Sequence, residues 1–141
     1  SNLVISSYDD NDVSENSFPD LPKFPENQIG EYTIINKSEK YNWNITEFNK
    51  PNKEDLIIYE ILVRDFDKER SFQNLIDRIE YFKNLNINAI ELMPVMEFEG
   101  NESWGYNSSY HLSLDKFYGT QNKLKEFIDL WVRVLMVMPI F

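Results

Sequence analysis

A chain of 141 residues with a formal net charge of −10 repels phosphate backbones and anionic headgroups, which excludes nucleic acid and membrane as expected partners. A hydrophobic fraction of 42%, with 10 Phe, 8 Tyr and 3 Trp, excludes a disordered chain. The absence of Cys excludes a disulfide framework and thiolate zinc sites and leaves the compartment unassigned.

The opening Ser1-Asn-Leu-Val-Ile-Ser-Ser7 has no Met, basic region or long apolar run, so no targeting segment is expected and the native start is expected upstream. Residues 1–53 are rich in Asn, Ser, Asp and Pro (Pro19, Pro22, Pro25, Pro51). That is loop and linker chemistry with one or two short strands, one of them around the apolar patch from Tyr32 to Ile35.

From residue 55 the pattern changes. Residues 56–63 form a continuous β-branched and aromatic run, the pattern of a strand covered on both faces in a parallel sheet. Ser71 is placed to cap a helix whose apolar positions Phe72, Leu75, Ile76, Ile79, Phe82 and Leu85 follow the i, i+3, i+4 spacing. Residues 88–93 read as a second buried strand, stopped by Pro94, which cannot donate to a ladder.

Residues 95–119 read as a long loop dense in aromatics, and loops of more than about 12–15 residues are usually functional or disordered. Thr120 then caps a second helix with Leu124, Phe127, Ile128 and Trp131 on one face. Residues 134–138 read as a third strand. The apolar run 132–141, broken by Arg133 and Pro139, is about half the roughly 20 residues that a membrane-spanning helix needs.

The order β, α, β, α predicts a parallel sheet with helices outside it. A barrel and an open sheet both satisfy that order. Neither strand is followed by a Gly-rich phosphate cradle, which favours the barrel.

In either architecture, ligands meet the loops at the carboxyl ends of the strands, here residues 63–70 and 95–119. Trp104, Tyr106 and Tyr110 around Gly105 place flat apolar faces beside Asn107, Ser108 and Ser109, a combination suited to sugar rings. Packing of these aromatics against the sheet is an equally weighted reading of residue type alone.

Glu60 and Glu91, inside apolar strands, are read either as a general acid and base or, more favoured, as carboxylates held by basic partners. Glu97 and Glu99 are read as solvated loop charges ahead of ligand contacts. Asp65 and Asp67 are expected in local ion pairs beside Arg64. His111 is the only His, so no multi-His metal site is expected.

Four segments in fixed order then carry a resemblance. Ile58-Tyr-Glu-Ile-Leu-Val-Arg-Asp-Phe66, Glu91-Leu-Met-Pro-Val-Met-Glu97, Ser103-Trp-Gly-Tyr-Asn107 and Tyr118-Gly-Thr120 together resemble the start of the catalytic barrel of the α-amylase family of glycoside hydrolases (family 13 type) and of the related α-glucan branching enzymes. The resemblance covers roughly residues 55–129. It implies an α/β fold in which residues 54–141 supply the first two to three βα units of a (β/α)8 TIM barrel. Residues 1–53 are then the tail of a preceding β-sandwich-like module and a linker.

The resemblance further implies that Tyr106 stacks on a sugar, with Trp104 and Asn107 beside it in the substrate-binding loop. Ser108 stands where the family often has Pro. The implied substrate is an α-1,4-glucan such as starch or glycogen, and the implied chemistry is retaining hydrolysis. No catalytic or metal-binding residue is assigned within the chain, and no cofactor, with calcium left to the full-length protein. The remaining readings are an α-glucan branching enzyme or other glucanotransferase, and a non-catalytic glucan-binding fragment. Because about 88 residues are roughly a third of a barrel of 200–250, the chain is expected to be a truncated piece, inactive alone and aggregation-prone at unpaired strand edges.

Overall fold

The computed structural model describes residues 3–8, 27, 30, 32–37, 40–98 and 103–137. The elements in chain order are β1 Leu3–Tyr8, β2 Tyr32–Lys37, a 3-10 turn Lys53–Asp55, β3 Ile58–Ile61, α1 Val63–Phe66, α2 Phe72–Asp77, α3 Ile79–Asn84, β4 Ala89–Leu92, β5 Met96–Phe98, β6 Ser108–Leu114 and α4 Gln121–Val137. The architecture is mixed α/β.

β1 and β2 form an antiparallel pair. β3 and β4 pair in parallel, with Tyr59 opposite Ile90, Glu60 opposite Glu91 and Ile61 opposite Leu92. Side chains alternate across a strand, so Tyr59, Ile61, Ile90 and Leu92 face the helices and join the core. Glu60 and Glu91 share the opposite face, where both are exposed. This corrects the expectation that these two carboxylates lie buried and held by basic partners: both stand on the exposed face of the strand pair.

The helix expected over 71–85 forms as two. Ser71 caps α2 through a reciprocal box, its hydroxyl accepting from the Asn74 amide and its amide donating to Asn74 Oδ1 at 3.2 Å. Arg78 separates α2 from α3 with φ −99° and ψ 13°, and its side chain is tied to Asp67 at 2.7 Å. Asn86, at φ 57°, ends α3 in the left-handed conformation that Asn tolerates.

The apolar face of these helices closes on α4. Phe82 is the centre, its ring 5.9 Å from Tyr59, 5.2 Å from Phe66, 6.3 Å from Phe127 and 6.1 Å from Trp131. Phe72, Leu75, Phe82 and Tyr118 are fully buried.

Two further expectations are corrected. The presumed loop 95–119 contains an antiparallel hairpin, β5 with β6, whose register shifts on either side of Glu97. The presumed third strand does not form: residues 134–137 continue α4, and Met138 lies outside the described residues. Leu124, Phe127, Trp131 and Val134 follow helical spacing onto the core, so tertiary burial overrides the β preference of Val134.

Asp129 of α4 fastens the segment that precedes β3. It is only 4% exposed. Its carboxylate accepts from the Asn44 amide at 3.0–3.1 Å, from the Ile45 amide at 3.2 Å, from the Asn44 side chain at 2.5 Å and from the Tyr41 hydroxyl at 3.4 Å.

Candidate functional site

Pro94 ends β4, and the chain then turns through the β5–β6 hairpin, whose connection includes residues 103–107. Gly105 explains the path of that loop. It is buried at φ 88°, and a Cβ built on it would lie 2.7 Å from the Pro94 carbonyl oxygen. Only glycine fits so close an approach at that φ.

Short polar bonds complete the loop. The Gly105 amide donates to Ser103 Oγ at 2.9 Å, the Ser108 hydroxyl donates to the Gly105 carbonyl at 3.2 Å, and the Ser103 and Asn107 side chains are hydrogen-bonded. Arg64 reaches across from α1, its Nη1 donating to the Ser103 carbonyl at 2.6 Å.

With Gly105 pinned inward, its neighbours project outward. Trp104 is 63% exposed and Tyr106 70% exposed. Asn107 is exposed next to them. The three residues singled out in the sequence therefore share one loop and one exposed stretch. Tyr110 is half-buried on β6. Tyr118, another aromatic of the same region, belongs to the core, where burial, helped by the charge of Asp115, pushes its phenol up to about 12.

The charges around the loop are matched. Arg64 forks onto Asp65, Nε to Oδ1 at 2.8 Å and Nη2 to Oδ2 at 3.0 Å, and this bonding holds the Asp65 carboxyl below the usual carboxylate range. Asp67 is likewise lowered by its bond from Arg78. The expected local ion pairs thus form, with Asp67 choosing Arg78 over Arg64.

Glu97 departs from expectation. It forms a buried ion pair with Lys116, 2.6 Å long, and also accepts from the Lys116 amide at 3.2 Å. It is buried rather than solvated. Nothing in local spacing marks a pair 19 residues apart. Glu99 lies outside the described residues.

A hollow of about 490 Å³ lies beside β3, lined by Tyr59, Glu60, Phe66, Asp67, Arg78 and Tyr81. A second, of about 670 Å³, lies at the amino ends of the parallel strands, with Phe48, Leu56, Ala89, Ile90 and Trp131 on its walls. Among the described residues, no group of three or more His, Cys, Asp or Glu side chains is placed to hold a metal ion, and no helix is long and apolar enough to cross a membrane.

The fold and loop define a parallel β-α-β unit bearing an aromatic-rich hairpin after its second strand. No protein-family model matches the chain. It is 33% identical over 105 residues to malto-oligosyltrehalose trehalohydrolase of Saccharolobus solfataricus, covering 74% of this chain and 18% of that protein. It is 35% identical over 86 residues to alpha-amylase 3 of Dictyoglomus thermophilum (57% and 17%) and 30% identical over 113 residues to the 1,4-alpha-glucan branching enzyme of Halothermothrix orenii (69% and 17%). A crystal structure of a candidate alpha amylase from Salmonella typhimurium superposes with a TM-score of 0.67 at 28% identity, over 76% of this chain and 18% of that one.

These relatives and the solved structure support an α-amylase family fragment: the chain is similar to one segment of such proteins. It spans 17–18% of the length of the three curated relatives described.

Proposed function

We propose that this chain supplies the opening βα units of a (β/α)8 barrel in an enzyme acting on α-1,4-glucans, and that Trp104, Tyr106 and Asn107 form part of its sugar-binding surface. The observation that carries this reading is the exposure of Trp104 and Tyr106 on either side of a buried, pinned Gly105. Large aromatic faces held in water on an ordered loop are suited to stacking on sugar C–H faces, and the Asn107 amide beside them suits hydroxyl groups. Phe98 and Tyr118 of the same region are, by contrast, buried.

The chemistry is retaining hydrolysis, in which two carboxyl groups about 5–5.5 Å apart act as nucleophile and as acid/base. Neither role is assigned to a residue of this chain. Release of reducing ends from soluble starch by a protein carrying the complete barrel tests the reading; no release overturns it. A glucan-transferring activity is the second reading, favoured by the 30% identity to a branching enzyme over the same segment. A changed iodine stain without new reducing ends distinguishes it.

A further inference from the structure

We propose that Arg64 is a positioning residue for the sugar-binding loop, acting through the backbone of Ser103; the proposal rests on Trp104 and Tyr106 being sugar contacts. Arg64 sits in α1, the single turn that leaves the carboxyl end of β3, and meets the loop across 39 residues of sequence. Its side chain is 11% exposed. Two of its nitrogens are taken by the Asp65 fork, and Nη1 donates to the Ser103 carbonyl at 2.6 Å.

A planar guanidinium held by two parallel bonds keeps little rotational freedom. The third bond therefore fixes the Ser103 carbonyl relative to the end of β3. Ser103 passes that order on, because its hydroxyl accepts from the Gly105 amide and bonds Asn107. Trp104 lies between the two held residues and Tyr106 directly after them. The loop is thus clamped twice: Gly105 packs on Pro94 at the end of β4, and Ser103 hangs from Arg64 at the end of β3. Lysine cannot reproduce this, since one ammonium on a flexible stem does not hold a carboxylate fork and a distant carbonyl in one plane.

The test uses a protein carrying the complete barrel, labelled with nitrogen-15, and the variants Arg64→Ala, Arg64→Lys and Asp65→Asn. Amide exchange is followed at Gly105 and, as core controls, at Phe82 and Phe127; maltoheptaose affinity is followed by tryptophan fluorescence. Losing a charge-assisted bond is expected to speed Gly105 exchange and weaken maltoheptaose binding by about tenfold in both Arg64 variants, with core exchange unchanged. Asp65→Asn, which loosens the fork without opening space, is expected to give a smaller change in the same direction. Unchanged Gly105 exchange in Arg64→Ala, or full rescue by lysine, overturns the proposal. Should Arg64→Ala also release the core amides, Asp65→Asn decides, and an unchanged Gly105 in that variant overturns it. Absence of maltoheptaose binding in the unaltered complete-barrel protein defeats the sugar-contact reading alone, because Gly105 exchange still reports whether Arg64 holds the loop.

Discussion

Glu97 of β5 and Lys116, two residues beyond β6, meet at 2.6 Å with each side chain only 6% exposed. The pair closes the base of the hairpin that presents Trp104 and Tyr106. Removing one partner of a buried pair is costly, so Lys116→Met is expected to cost about 3–5 kcal/mol. The double variant Glu97→Leu/Lys116→Met is expected to recover most of that loss. Urea unfolding midpoints check both, and equal losses in the single and double variants would sink the account.

Asp129 predicts a pH dependence. Burial acts to raise its pKa, but the Asn44 backbone and side-chain amides, the Ile45 amide and the Tyr41 hydroxyl outweigh it, so the folded value lies below the ordinary 3.8. A depressed carboxyl contributes stability that is complete above its unfolded pKa and is lost as pH falls through the folded one. The attachment of residues 40–45 to α4 is therefore expected to hold at neutral pH and to loosen below about pH 3.8. Asp129→Ala, which removes charge-assisted bonds, is expected to destabilise by about 1–3 kcal/mol at pH 7 and to flatten that acid dependence. Proteolytic cleavage near Trp43 across the pH range provides the measurement.

Gly105→Ala tests the loop path. Its new methyl meets the Pro94 carbonyl at 2.7 Å, and the backbone stays at φ 88° only under strain. Local strain of about 1–3 kcal/mol is expected to shift the loop and to abolish maltoheptaose binding while the far-ultraviolet circular dichroism stays the same. Retained binding would show that the approach to Pro94 does not govern the loop.

Tyr106→Ala removes an exposed ring. Stability is expected to change by no more than about 0.5 kcal/mol, as for surface positions generally, and maltoheptaose affinity to fall about tenfold, in line with loss of one aromatic face of about 0.5–1.5 kcal/mol. A stability loss without an affinity loss would reassign the residue to packing.

Phe82→Ala is expected to be the most damaging core change, about 3–5 kcal/mol, because five other rings converge on it. Thermal unfolding checks it against Ile128→Ala. Ile128, 40% exposed, is expected to lose far less.

Periodicity made the buried faces legible. Phe72, Leu75 and Phe82, like Phe127 and Trp131, declare themselves by helical spacing, and the apolar runs around Ile58–Ile61 and Ala89–Leu92 declare the parallel strands. Ser71 and Thr120 were readable as caps because a cap needs only its next three residues: the Lys123 amide donates to Thr120 Oγ1 at 3.2 Å. The four ordered segments were enough to place the chain beside its relatives.

Interactions between distant residues were not readable in this way. Glu97 looked like a solvated charge until Lys116 was placed beneath it, and Glu60 and Glu91 looked buried although the face they share lies open. Val134 carries a strand preference, yet the core already occupied by Phe127 and Trp131 draws it into α4. Local pattern determined which residues seek burial and where backbone groups are capped, since those depend on neighbours a few positions away. The tertiary structure alone decided which charges meet, which glycine touches Pro94 and which arginine holds Ser103. Those contacts join residues 11–39 positions apart, and a hydrogen bond or ion pair is specific only once folding has set its distance.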